Sequence, residues 1–73
     1  MSTATADWEI RLNGEAFRIP AGATVAELVR QLALPEDRVA VEVDHRIVRR
    51  AEWAEQRLQP GATVEIVQLV GGG

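Results

Sequence analysis

Asn13-Gly14, set between two short runs of alternating apolar and polar residues, constrains this chain more than any other pair of neighbours in it. Both residues tolerate positive φ, so the pair selects a two-residue hairpin turn whose twist suits paired strands. Before the turn, Trp8, Ile10 and Leu12 share one face while Glu9 and Arg11 share the other, the period of a half-buried strand. After it, Glu15 to Ile19 forms the returning strand. So short a loop dictates the register: Leu12 opposite Glu15, Ile10 opposite Phe17, and Trp8 opposite Ile19. Glu9 then faces Arg18 on the outer side, a favourable cross-strand charge pair.

The rest of the chain must cover that hairpin's apolar face. Pro20-Ala21-Gly22 breaks the second strand. Thr24 stands three residues before Glu27, the spacing at which two side chains cap a helix start reciprocally. Val25, Leu28, Val29 and Leu32 follow as one apolar helical stripe. Pro35 bars continuation, so the helix is predicted from Val25 to Leu32 or Ala33. Val39, Val41 and Val43 alternate with Ala40 and Glu42 as a third strand. Asp44-His45 is a weak turn signal, and Ile47-Val48 is a short fourth strand. Arg49 to Leu58 has helical composition without a clean stripe, which predicts a short or 3₁₀ helix anchored by Trp53 and Leu58. Pro60-Gly61 suits a type II turn, and a last strand is predicted from Thr63 to about Val70. The expectation is an α+β domain over 8–70, with loose segments at 1–7 and 71–73. It holds a small mixed sheet of four to five strands with one main helix packed on one face.

Composition narrows the chemistry. A chain of 73 residues buries roughly 60% of its unfolded surface. It has no cysteine, which removes disulfides, thiolate metal sites and a thiol nucleophile together. One histidine makes neither a histidine metal cluster nor a Ser-His-Asp triad, and no carboxylate pair has catalytic spacing. No catalytic or metal-ligating residue is therefore assigned. Net charge is −3, against a nucleic-acid footprint. No apolar run reaches the roughly 20 residues that span a bilayer, and Met1 to Asp7 lacks the pattern of a signal peptide. The cytoplasm and a monomer are the expectations. All eight bases are arginine, a mark of GC-rich codons, so no side-chain amine is present to accept an acyl group.

The chain closes on Gly71-Gly72-Gly73. Three residues without Cβ ending in a carboxylate make a thin arm of roughly 10 Å when extended. Such an arm fits a narrow channel in another protein, and transfer to AMP would make its carboxylate a good electrophile. The plain alternative is a frayed end with no role. In the last strand, strict alternation puts Val64 and Ile66 inside, Val67 and Leu69 outside, and Gln68 inside. Val67 and Leu69, with Val70, then form a docking patch beside the tail; a β-bulge near Val67 would instead turn Leu69 into the core. Trp53 reads as a core plug more readily than as a recognition residue. Arg46, Arg49 and Arg50 read as a solvated loop, His45 as an exposed turn residue, and Asn13-Gly14 as a turn and nothing more.

In order and spacing the chain resembles the thiamine-pathway sulfur carriers, the ThiS family of ubiquitin-like β-grasp proteins. The likeness covers about residues 8 to 73. It is carried by Leu12-Asn13-Gly14, by Ala21 to Leu28, by Ile47-Val48-Arg49-Arg50-Ala51-Glu52-Trp53, by Leu58 to Ile66, and by Val70-Gly71-Gly72-Gly73. Arg49 and Ala62 stand where members often have proline and aspartate. The resemblance implies a carrier and not a catalyst. An adenylating, E1-like enzyme using Mg and ATP would activate the Gly73 carboxylate. A persulfide donor such as a cysteine desulfurase would supply sulfur. A thiazole synthase would take it from the thiocarboxylate, and the carrier itself would hold no cofactor. The small subunit of molybdopterin synthase and an interaction module with an inert tail are the alternatives.

Overall fold

The structure, a computed structural model, describes residues 7–69. β1 (Asp7–Leu12) and β2 (Glu15–Pro20) pair antiparallel in the predicted register, with Trp8 opposite Ile19, Ile10 opposite Phe17 and Leu12 opposite Glu15. Asn13 and Gly14 both take positive φ, 51° and 86°, as the two central positions of such a turn require. Glu9 and Arg18 meet at 3.7 Å across the outer face. β1 starts one residue earlier than expected: Asp7, assigned to the loose segment, pairs with Pro20. Pro20 is tolerated because β2 is an edge strand and needs no ladder N–H on its open side.

α1 (Val25–Gln31) carries the expected reciprocal cap. Thr24 Oγ1 accepts from the Glu27 amide at 3.2 Å, and Glu27 Oε1 accepts from the Thr24 amide at 2.9 Å. Two further N–H groups of the first turn would be orphaned in an isolated helix. Here Val25 donates to the Gln56 carbonyl at 2.9 Å and Ala26 to the Trp53 carbonyl at 3.1 Å. The loop from Trp53 to Leu58 is thus the cradle of the helix start. α1 ends at Gln31, one or two residues short of the expected limit. Ala33 takes φ 58°; its amide donates to Arg30 O, and that of Leu34 donates to Val29 O. Those two bonds are the Schellman closure, which stops the helix before Pro35 could.

A 3₁₀ turn (Glu36–Arg38) leads into β3 (Val39–Val43), which pairs antiparallel with β4 (Arg46–Val48). Asp44 and His45 link them with φ of 50° and 72°, so the weak turn signal is a full hairpin turn. A second 3₁₀ turn covers Arg50–Glu52. Pro60-Gly61 makes the expected turn, with the Ala62 amide bonding Gln59 O at 3.0 Å and Gly61 at φ 80°. β5 (Thr63–Gln68) ends two residues before the predicted Val70.

The five strands lie in the order β2-β1-β5-β3-β4. β5 enters between the two hairpins, parallel to β1 and antiparallel to β3. A mixed five-stranded sheet with one helix across one face is the ubiquitin-like β-grasp expected from the sequence. Ile10, Ile19, Val41 and Val64 from the sheet meet Val25, Leu28 and Val29 from α1 in the core, with Trp53 and Leu58 sealing one end. Among the described residues no polar or charged residue is buried.

Candidate functional site

The face of the sheet away from α1 carries the large apolar side chains that the fold leaves in solvent. Ile47 is 74% exposed, Val67 57% and Leu69 52%. The choice between patch and bulge is decided by register. β3 and β5 pair without interruption from Val43↔Val64 to Val39↔Gln68, and the Leu69 amide extends the ladder to Arg38 O at 2.6 Å. With no extra residue in β5, Val67 and Leu69 stay on the outer face.

Ile47, which the sequence did not single out, lies beside them because β4 flanks β3. These three, with Ala40, Val41, Glu42 and Glu65, line a shallow groove of about 270 Å³. Ile47 escapes a reading of periodicity because two adjacent apolar residues, Ile47 and Val48, in a three-residue strand give no period that says which of them faces out.

Gln68 lies on the helix side, as alternation requires, but it is exposed. It borders a recess with Leu12, Leu32, Leu34 and Ile66. β1 has ended at Leu12 and α1 at Gln31, so neither reaches far enough to cover it.

β5 is anchored by side chains from both sides, next to the patch at Ile66 and at its start at Thr63. Asn13 Oδ1 accepts from the Ile66 amide at 2.9 Å, and Asn13 Nδ2 donates to the Ile66 carbonyl at 3.3 Å. The side-chain amide thereby continues the β1–β5 ladder after the β1 backbone has turned away. Asn13 is more than a turn residue. Across the sheet, Asp44 Oδ1 accepts from the Thr63 amide at 2.9 Å. Each hairpin therefore uses the first residue of its turn to hold the inserted strand.

Trp53 is buried, and its indole N–H donates to Val48 O at 2.9 Å, which assigns it to the core. Arg46, Arg49, Arg50 and His45 are all exposed. Val70 and the Gly71, Gly72 and Gly73 arm lie outside the described residues. Among the described residues no cluster of three or more His, Asp or Glu could hold a metal ion. No helix among them is long and apolar enough to cross a membrane.

The arrangement is thus an exposed apolar face on a β-grasp scaffold, two residues before the Gly71-Gly72-Gly73 sequence. The ThiS family profile matches residues 10–73. This chain belongs to the ThiS family. It is 34% identical over 65 residues to the sulfur carrier protein ThiS of Escherichia coli (strain K12), covering 89% of this chain and 98% of that one. It is also similar to a stretch of two thiazole synthases. That of Magnetococcus marinus is 35% identical over 65 residues, and that of Paramagnetospirillum magneticum 36% over 62. The match covers 89% and 85% of this ThiS-family chain, but only 20% and 19% of those synthases. Among solved structures, the crystal structure of the thiamine biosynthesis protein ThiS from Geobacter metallireducens superposes with a TM-score of 0.77 at 24% identity. That alignment covers 89% of this chain and 99% of the other, and it shows the same fold.

Proposed function

We propose that this chain is the sulfur carrier of thiamine biosynthesis, holding sulfur as a thiocarboxylate on Gly73 and delivering it to a thiazole synthase. The observation that carries the reading is full-length kinship with a ThiS sulfur carrier, joined to an exposed patch that ends one residue before Val70 and the glycines. Thiazole synthases that contain a stretch resembling this chain support that enzyme as the recipient.

In this reading an E1-like adenylating enzyme, working with Mg and ATP in its own site, docks on Val67, Leu69 and Val70. Gly71, Gly72 and Gly73 carry no side chain, so they offer the least steric bulk in a narrow channel. The Gly73 carboxylate attacks the α-phosphorus of ATP and pyrophosphate leaves. The terminal sulfur of a persulfide donor such as a cysteine desulfurase then displaces AMP to form an acyl disulfide. A thiol cleaves its S–S bond, leaving the thiocarboxylate on Gly73 and a disulfide between that thiol and the donor's sulfur. The carrier contributes position and a terminus, and the partners contribute the catalysis.

The test is ATP–pyrophosphate exchange with the adenylating enzyme, followed by intact mass for replacement of one oxygen by sulfur. Deleting Gly73 shortens the arm by about 3.5 Å, and such a misplacement of a reacting group costs rate steeply. A large loss of turnover with docking retained is expected, and a bulky residue appended after Gly73 should block charging more completely. Shortened and extended chains charged as fast as the native one would overturn the reading.

A further inference from the structure

The outer face carries a charge arrangement that folding does not explain. Glu42 of β3 and Glu65 of β5 are direct cross-strand partners, and Glu42 is in turn opposite Ile47 of β4. The two carboxylates therefore stand side by side on the border of the apolar patch, lining the same groove as Ile47, Val67 and Leu69. Like charges directly opposite in an antiparallel pair destabilise the sheet. No salt bridge relieves them: among the described residues the one ion pair is Arg18–Glu9, on the β1–β2 hairpin at the opposite edge of the sheet. No hydrogen bond from the described residues reaches either carboxylate.

We propose that Glu42 and Glu65 form a receptor for a cationic side chain, and that the face docks the adenylating enzyme through an arginine or lysine set between them while apolar side chains cover Ile47, Val67 and Leu69. This rests on the carrier reading above and specifies the partner surface that reading requires. Carboxylates from directly opposed strand positions can both accept from one guanidinium, whose forked donors suit such a pair. Docking of that cation would remove the repulsion the free protein bears. The chain's net charge of −3 favours the same partner, since complementary charge steers encounter with a basic surface. Leu69 lies one residue before Val70 and the glycine arm, so the partner that covers this face is the one whose site the arm can enter.

The experiment measures two quantities on the full chain: affinity for the adenylating enzyme of the same genome at low and high salt, and the urea midpoint. Glu42→Gln, Glu65→Gln and the double variant are compared with Ile47→Ala and Leu69→Ser. The double Gln variant is expected to bind at least about tenfold more weakly at low salt, as loss of a close interfacial charge pair does, with a shallower salt dependence. Its urea midpoint should rise, because a like-charge pair is gone, so weaker binding cannot be a folding defect. If the Gln variants keep native affinity and salt dependence while Ile47→Ala and Leu69→Ser bind weakly, the cation receptor is overturned and the docking face survives. If all variants bind as the native chain does, the docking reading falls with it. Self-association of the native chain that the Gln variants abolish would assign the carboxylates to arginines of a second copy, and would also overturn the proposal.

Discussion

Asn13 and Asp44 show how much a single side chain can decide in a domain this small. Each occupies the first position of a hairpin turn at φ near 50°, where Asn and Asp are tolerated better than most residues. Each also holds a backbone amide of β5 at 2.9 Å. Asn13→Ala removes two hydrogen bonds and puts alanine at positive φ, and should cost about 1–2 kcal/mol. Asn13→Asp keeps the acceptor for the Ile66 amide but loses the donor to its carbonyl, and should cost less. Asp44→Ala should cost about 1 kcal/mol, while Asp44→Asn retains the acceptor and should be near neutral. Urea titration measures the totals. Faster amide exchange at Ile66 for the Asn13 variants, and at Thr63 for Asp44→Ala, locates each loss. Unchanged exchange at those amides would mean that the side chains do not hold β5 in solution.

At the scale of the element, α1 has a well-satisfied start and a strained stop. Seven residues are too few for a helix to persist alone in water, so its ends matter disproportionately. Thr24→Ala removes one of the bonds at the start and should cost about 1 kcal/mol. The carbonyls of Trp53 and Gln56 keep two other first-turn amides satisfied, so the helix should shorten rather than melt. At the stop, Ala33 sits at φ 58° in the position where glycine is preferred. Ala33→Gly relieves the left-handed strain and loses some of that gain to unfolded-state entropy. The expected net gain is up to about 1 kcal/mol. A lower urea midpoint for Ala33→Gly would show that the closure is not strained.

Across the whole molecule, one residue type should give opposite outcomes at two places. Leu58 is fully buried under the helix start, and Leu69 is 52% exposed on the outer face. Leu58→Ala should cost roughly 2–5 kcal/mol, a large part of the 5–15 kcal/mol that holds typical domains together. Leu69→Asp should leave the fold intact and weaken docking of the adenylating enzyme. Val67→Asp should also weaken docking. As a third acid beside Glu42 and Glu65 it should lower stability by a few tenths of a kcal/mol without unfolding the domain, on the order of a like-charge cross-strand pair. Circular dichroism with urea titration, alongside binding, separates the two effects. Unfolding by Leu69→Asp would place that leucine in the core and remove the patch.

Features that depend on neighbours a few residues apart were readable in the chain before any fold was known. Asn13-Gly14 set both the turn and the whole β1–β2 register, because a two-residue loop leaves one pairing. Thr24 and Glu27 set the helix start, and the alternation of Val39, Val41 and Val43 set which face of β3 is buried. Trp53 and Leu58 were legible as anchors because little else in their segment is apolar. The glycine arm and the outward Val67 were readable from composition and alternation, and the family resemblance joined them to a function. The place of β5 in the sheet was not readable in that way. Its position depends on which strand edges two separate hairpins leave open, and no local period encodes that. Once β5 lies between β1 and β3, three consequences follow. Asn13 reaches Ile66, 53 residues away. Glu42 comes to stand against Glu65. Ile47 joins Val67 and Leu69 in one surface. Distant residues meet there because the assembled sheet fixes a register across strands, and that register is a property of the whole backbone rather than of any segment of it.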